Sequence, residues 1–154
     1  MGKPPTDRGN SGPKRSVLTA GGGVPIGLVV EGANRHAGKL TRETIERIAV
    51  ERPEPSADAP QGRCLDPGYD DDEVRDSLAE FGLTAHIRAR GEDAHALKQA
   101  AGFKARRWVV ERTQSWMHRF RRVLIRWDKK VRHYLRVWHL ACASITYRRS
   151  GLLG

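Results

Sequence analysis

Residues 62–88, GRCLDPGYDDDEVRDSLAEFGLTAHIR, decide the fold. Gly62 to Asp66 reads as a short strand, Asp70 to Phe81 as a helix and Leu83 to Arg88 as a second strand. Asp70 can cap the helix with Glu73 three residues on, and Asp71 and Asp72 favour the positive end of its dipole. Gly82 lies where a left-handed C-terminal cap belongs. A strand, helix, strand succession of this length predicts a parallel pair joined by a right-handed crossover, and hence an α/β fold. Asp66 ends the first strand, and Pro67-Gly68 then turns the chain. A carboxylate at the C-terminal edge of a parallel strand points into the crevice where α/β sheets bind ligands. An Asp that merely opens a turn is an equally ordinary reading.

Upstream, Ser16–Thr19 and Pro25–Val30 are short β-prone runs separated by Ala20-Gly21-Gly22-Gly23, which predicts an antiparallel hairpin with glycines at the reversal. Arg42 to Glu51 carries helical apolar spacing at Ile45, Ile48 and Ala49, with Thr41 as N-cap. It runs into a Pro-rich loop at 53–60, expected to be flexible. Residues 1–13 are Gly/Pro/polar and predict a flexible N-terminal segment ahead of a domain spanning 14–150.

Downstream, a weak helix is expected at Ala94 to Ala100. A long helical stretch then begins near Arg106. Val109, Trp116, Phe120, Val123 and Trp127 form its apolar stripe, tryptophans inward and arginines in solvent. A second helix from about Val131 has Tyr134, Trp138, Ala141 and Ile145 on one stripe. Helical geometry puts Glu111 on the polar side with Ser115, His118 and Arg122, an acid inside a positive field. From the residues alone, an ordinary Glu/Arg ion pair, worth about 0–1 kcal/mol if exposed, accounts for it.

The 154 residues allow one domain with a real core. Charge is divided unevenly: residues 1–40 carry 6 basic and 2 acidic side chains, 41–100 carry 8 and 14, and 101–154 carry 14 and 2. Each Lys or Arg that neutralises a phosphate releases a condensed counterion, so the C-terminal third favours nucleic acid as partner. No stretch approaches the roughly 20 apolar residues of a membrane span, and no signal-peptide core follows Met1. A cytoplasmic protein is expected, nucleoid-associated when bound to DNA. Cys64 and Cys142 form no CxxC pair and read as packing residues of a reducing compartment. Asp70, Asp71 and Asp72 lack the alternation of a calcium loop, the six histidines lack metal-ligand spacing, and there is neither a P-loop nor a nucleophile elbow.

Four separated motifs, in order, carry a resemblance that covers nearly the whole chain: PTDRG with KRS at 5–16, GVPIGLVVEGANRH at 23–36, CLDPGYDDDEV at 64–74 and RRWVVERTQSWMHRFRR at 106–122. Together they resemble the catalytic domain of bacterial insertion-sequence DDE transposases of the IS4/IS5-like group. The resemblance implies an RNase H-like fold, a mixed sheet with flanking helices, in which Asp, Asp and Glu hold two Mg²⁺ ions, with Mn²⁺ as substitute. The family's second Asp matches Asp66, its Glu matches Glu111, and Arg107 matches the arginine four positions before that Glu. Such a site cuts and joins double-stranded DNA at element ends and target, and a homo-oligomer on the DNA is compatible with the resemblance. Two ions activate the attacking water or 3′-hydroxyl and stabilise the leaving oxygen. The basic residues around the acid, Arg107, Arg112, Arg119, Arg122, Arg126, Lys129 and Lys130, would hold the phosphates.

The pattern is incomplete. The family's first Asp lies on a strand upstream of the PTDRG segment, and Asp7 belongs to that segment itself. Ala37 and Ala20 stand where the family commonly has Asp, Lys104 where it has Tyr, and His118 where it has Lys. The expectation is an RNase H-like sheet lacking its first strand, and a truncated transposase that is inactive alone. The rival expectation is a non-catalytic basic nucleic-acid-binding module in which both acids are structural.

Overall fold

The computed structural model describes residues 13–32, 34–87 and 107–151. Most of the expected N-terminal segment, the Arg88 end expected of the second parallel strand and the weak helix expected at 94–100 lie outside them. Strands β1 (Pro13–Thr19) and β2 (Pro25–Gly32) form an antiparallel hairpin, and helix α1 (Ala37–Glu46) follows. Strand β3 (Gln61–Leu65), a 3₁₀ turn at Pro67–Tyr69, helix α2 (Asp72–Glu80) and strand β4 (Leu83–Ile87) make the β-α-β unit. β3 and β4 are parallel, as the crossover argument requires. Helices α3 (Arg107–Met117), α4 (Arg121–Leu124) and α5 (Val131–Arg149) complete the chain. The class is α/β. Among the described residues the strands form two separate two-stranded sheets, β1-β2 and β3-β4, rather than one mixed sheet.

Each sheet has its own apolar core. On the hairpin, Leu28 and Val30 of β2 meet Met117, Val123, Tyr134, Trp138, Ala141 and Ile145. The stripe expected on α5 is therefore the buried one. Tyr134 and Trp138 pack edge to face with centroids 6.2 Å apart. The second core is small: Ile45 of α1 with Val74 and Leu78 of α2, flanked by Leu65, Leu83 and Ala85 of the parallel strands.

Helix α1 ties the two together. It begins earlier than Thr41, because the His36 ring accepts the Gly38 N–H (3.3 Å) and supplies the cap. Thr41 and Thr44 lie inside the helix, fully buried. Thr44 donates to Ser16 of β1 (2.7 Å), while Arg63 of β3 donates to the Thr41 carbonyl (3.5 Å). One face of α1 thus touches a strand of each sheet. On its outer side Arg42 pairs with Glu46 (3.3 Å) and with Glu80 of α2 (2.7 Å).

Three further expectations change. The α2 cap is Asp71, which accepts the Glu73 N–H (3.0 Å), whereas Asp70 pairs with Arg75 (2.5 Å). Gly82 does take the left-handed conformation, φ +65°. The Pro-rich loop is pinned rather than free. The Pro53 carbonyl accepts the Gln61 amide (2.6 Å), the Phe81 carbonyl accepts Arg52, and Pro55 lies so close to Gly82 that a Cβ there would meet it at 2.9 Å. Finally, the long helix expected from Arg106 to Trp127 ends at Met117. The chain turns at His118–Phe120, so that Val123 can enter the core and give its carbonyl to the Tyr134 hydroxyl (2.9 Å).

Arg63 is the anomaly of the core. Only 8% of it is exposed, and among the described residues no carboxylate pairs with it; burial lowers its pKa to about 10. Replacing an unpaired buried charge by an apolar side chain of similar volume removes a desolvation penalty. Arg63→Met is expected to raise the thermal midpoint or leave it unchanged, as read by circular dichroism. Gly23→Ala should act in the opposite sense. Gly23 has φ +84°, and an added Cβ would sit 3.0 Å from Arg112 and 3.2 Å from Thr113. Forcing alanine into that conformation costs about 1–3 kcal/mol, which the same melting experiment reads as a lower midpoint.

Candidate nucleic-acid and metal site

Glu111 is placed by the way its helix docks. α3 turns Val109, Thr113 and Met117 inward and leaves Glu111, Gln114 and Ser115 exposed. The buried Thr113 hydroxyl lies 2.6 Å from the Gly23 carbonyl and 3.0 Å from that of Val109. Arg112 donates to the Gly22 carbonyl (2.6 Å). Its guanidinium lies 4.6 Å from the Trp108 ring centre and 5.0 Å from that of Trp116, with Arg149 of α5 5.5 Å from Trp116. Two adjacent residues of α3 therefore grip two adjacent carbonyls of the hairpin turn, so the helix cannot slide along or rotate on the sheet without breaking both contacts. Glu111 precedes this pair and faces away from the sheet.

Asp66 is placed by the parallel pair. It follows the last residue of β3 and its carbonyl accepts the Tyr69 N–H (2.9 Å), closing the turn that leads into α2. It is exposed at the C-terminal end of the strand, where the β-α-β pattern put it. Tyr69 is half-buried beside it. Burial first and the Asp66 charge second raise the Tyr69 pKa, against the opposing pull of Arg63.

The two acids thus stand on different supports: Asp66 on the β3-β4 unit, Glu111 on the helix fastened to the β1-β2 hairpin. Both are exposed hard-oxygen donors, the right chemistry for Mg²⁺ or Mn²⁺. Yet no group of three or more acids, histidines or cysteines able to hold a metal gathers among the described residues. Each acid has the donor chemistry for such an ion, and the described residues do not by themselves assemble a complete centre.

The candidate phosphate contacts divide by environment. Arg119, Arg122, Lys129 and Lys130 are exposed. Arg112 is spent on the hairpin turn, as above. Arg126 is folded under its own loop, donating to the carbonyls of Asp128 (2.9 Å) and Lys129 (3.0 Å), with its guanidinium 5.8 Å from the Tyr134 ring centre. The side chain of Arg107 falls outside the described residues. Sequence reasoning missed Thr113, whose only sign was a β-branched hydroxyl four residues after Val109, and it missed the exposure of two tryptophans. Trp108 is 54% exposed and Trp127 73%, where the helical stripe put both inside or beside it. Of the two cysteines, Cys64 is exposed, and Cys142 is partly buried with its thiol pKa pushed up to about 11 by that burial. No helix among the described residues is long and apolar enough to cross a membrane.

Comparison with known proteins supplies the context for this arrangement. The family described as "Transposase DDE domain" matches residues 64–148, a span that opens beside Asp66 and takes in Glu111 and almost all of α5. A curated relative, described as a transposase for insertion sequence element IS402 of Burkholderia cepacia, is 30% identical over 148 residues, covering 95% of this chain and 68% of its own length. No solved structure matches the chain significantly. The matched span agrees with a relative that covers nearly the whole of this chain, and the chain belongs to the DDE-domain transposases of insertion-sequence elements.

Proposed function

We propose that the chain acts in DNA transposition as a DNA-binding portion of a DDE transposase, with Asp66 and Glu111 as two of the carboxylates that hold a divalent ion. The observation that carries this reading is the placement of Glu111: exposed, on a helix whose opposite face is fastened at Gly22 and Gly23, and within the family's matched span. Asp66, at the exposed end of β3, is the second acid. Bound Mg²⁺ or Mn²⁺ would supply activation of a water or 3′-hydroxyl and stabilisation of the leaving oxygen at a phosphodiester. The chain's own residues hold the polymer. Arg119, Arg122, Lys129 and Lys130 neutralise phosphates of double-stranded DNA beside the acids, and each contact releases counterions.

An RNase H-like sheet would need one further strand here. β1 and β3 both touch the same helix, α1, yet belong to separate sheets among the described residues, and the buried Arg63 of β3 has no carboxylate partner among the described residues. This supports the reading that the described chain by itself does not assemble the full set of metal ligands and is inactive alone. A homo-oligomer on DNA is compatible with it.

One observation favours a second reading, a non-catalytic DNA-binding module: no three-residue metal cluster gathers among the described residues. Metal binding separates the two. Isothermal titration with Mn²⁺ is expected to give a weak heat with the wild-type chain that is lost in both Asp66→Asn and Glu111→Gln. Absence of heat in all three proteins would select the binding module.

A further inference from the structure

The segment 125–130, IRWDKK, joins α4 to α5 and carries the most exposed large apolar side chain of the described residues, Trp127 at 73%. Ile125 beside it is 58% exposed. Neither belongs to either core. Such exposure is usually a sign of a loose loop, but this loop is built. Arg126 fastens the carbonyls of Asp128 and Lys129 from beneath and lies over the Tyr134 ring, and Tyr134 in turn holds the Val123 carbonyl. Asp128 is turned inward: its side chain is 14% exposed, one carboxylate oxygen is 3.4 Å from Arg122 and the other is buried. The outer surface of the loop is thereby left to the indole and to the exposed Lys129 and Lys130 that follow it in sequence. Across residues 119–132 the sequence holds seven basic side chains and one acid.

We infer that Trp127 is a base-stacking platform: its indole lies against a nucleobase of unpaired or locally opened DNA while the flanking lysines neutralise the adjoining phosphates. The inference rests on the DNA-binding reading and adds the state of the DNA that this face prefers. Cations alone would serve a phosphate backbone and give an aromatic ring nothing to do. An exposed indole on a fastened loop, with two exposed lysines following it, matches the combination that binds single strands, where each base offers a π-face. A base inside an intact duplex is covered by its neighbours, so stacking on Trp127 requires a base released from the stack. The charge also argues against a second copy of this chain as occupant, since pairing two such faces would bring like charges together.

The test uses the full chain and fluorescence anisotropy of one labelled oligonucleotide sequence, presented as single strand, as duplex with a central unpaired stretch, and as matched duplex. Trp127→Ala is expected to weaken binding to the first two by about tenfold or more, and to change binding to the matched duplex by less than about twofold. Trp127→Phe should retain most of the preference, and the slope of log affinity against log salt should be unchanged, because no cation is removed. An equal loss on all three DNAs, or no loss on any, overturns the platform while leaving DNA binding intact. Sedimentation showing that wild type self-associates and Trp127→Ala does not, with DNA affinities equal, overturns it in favour of a protein interface. Failure of wild type to bind any of the three overturns the DNA reading itself and the inference with it.

Discussion

The grip of Arg112 and Thr113 on the Gly22 and Gly23 carbonyls is the contact on which the rest of this structure depends. It joins residues 90 positions apart in sequence and fixes the hairpin turn against the middle of α3. Gly23 permits it, since φ +84° presents the carbonyl and the missing side chain leaves room for Arg112 and Thr113. Once α3 is held there, Met117 enters the hairpin core, the chain turns at His118–Phe120, and α4 and α5 close over β2. Glu111 is on the exposed side of the helix because the other side is packed on the hairpin. The same contact thus decides both where the acid stands and where the basic surface that follows it lies.

The second constraint is α1, which touches two sheets that do not join among the described residues. Ser16 of one strand accepts from the buried Thr44, and Arg63 of another donates to the carbonyl of the buried Thr41. A buried guanidinium without a carboxylate is costly, since removing a charge from water carries a penalty that only an opposite charge or good hydrogen bonds offset. The cores on either side of α1 are unequal, eight buried residues against three, so the hairpin with its helices is the better anchored half. Asp66 belongs to the lesser one. Two metal-ligand candidates on two differently anchored supports can be brought to working geometry only by what fixes the supports relative to each other.

Much of this was legible in the residues. The β-α-β unit follows from Gly82 and the acidic first turn of α2, and the hairpin from the three glycines at 21–23. The stripe of α5 is buried residue for residue. The errors have a common cause. Periodicity sees one chain at a time, so it carried the α3 stripe through Phe120 to Trp127, although the pull of the Tyr134–Trp138 layer ends the helix at Met117. It began α1 at Thr41 because threonine is a good cap, while the structure has both threonines of that helix buried against the strands and gives the cap to His36. Asp66 and Glu111 lie where the pattern put them, exposed at the strand end and on the polar side of the helix. The roles of Arg112 and Arg126 were invisible, since a basic side chain that binds backbone carbonyls looks in sequence like one that faces solvent.

An account in which this chain binds DNA through its C-terminal layer but does not complete a metal centre is tested most directly by catalysis. The chain alone would be incubated with Mg²⁺ or Mn²⁺ and DNA carrying the ends of its own insertion element, and strand cleavage followed on denaturing gels. The account predicts retention of the DNA without cleavage. Cleavage by the wild-type chain that disappears in Glu111→Gln would contradict it, and would show that the acids present suffice.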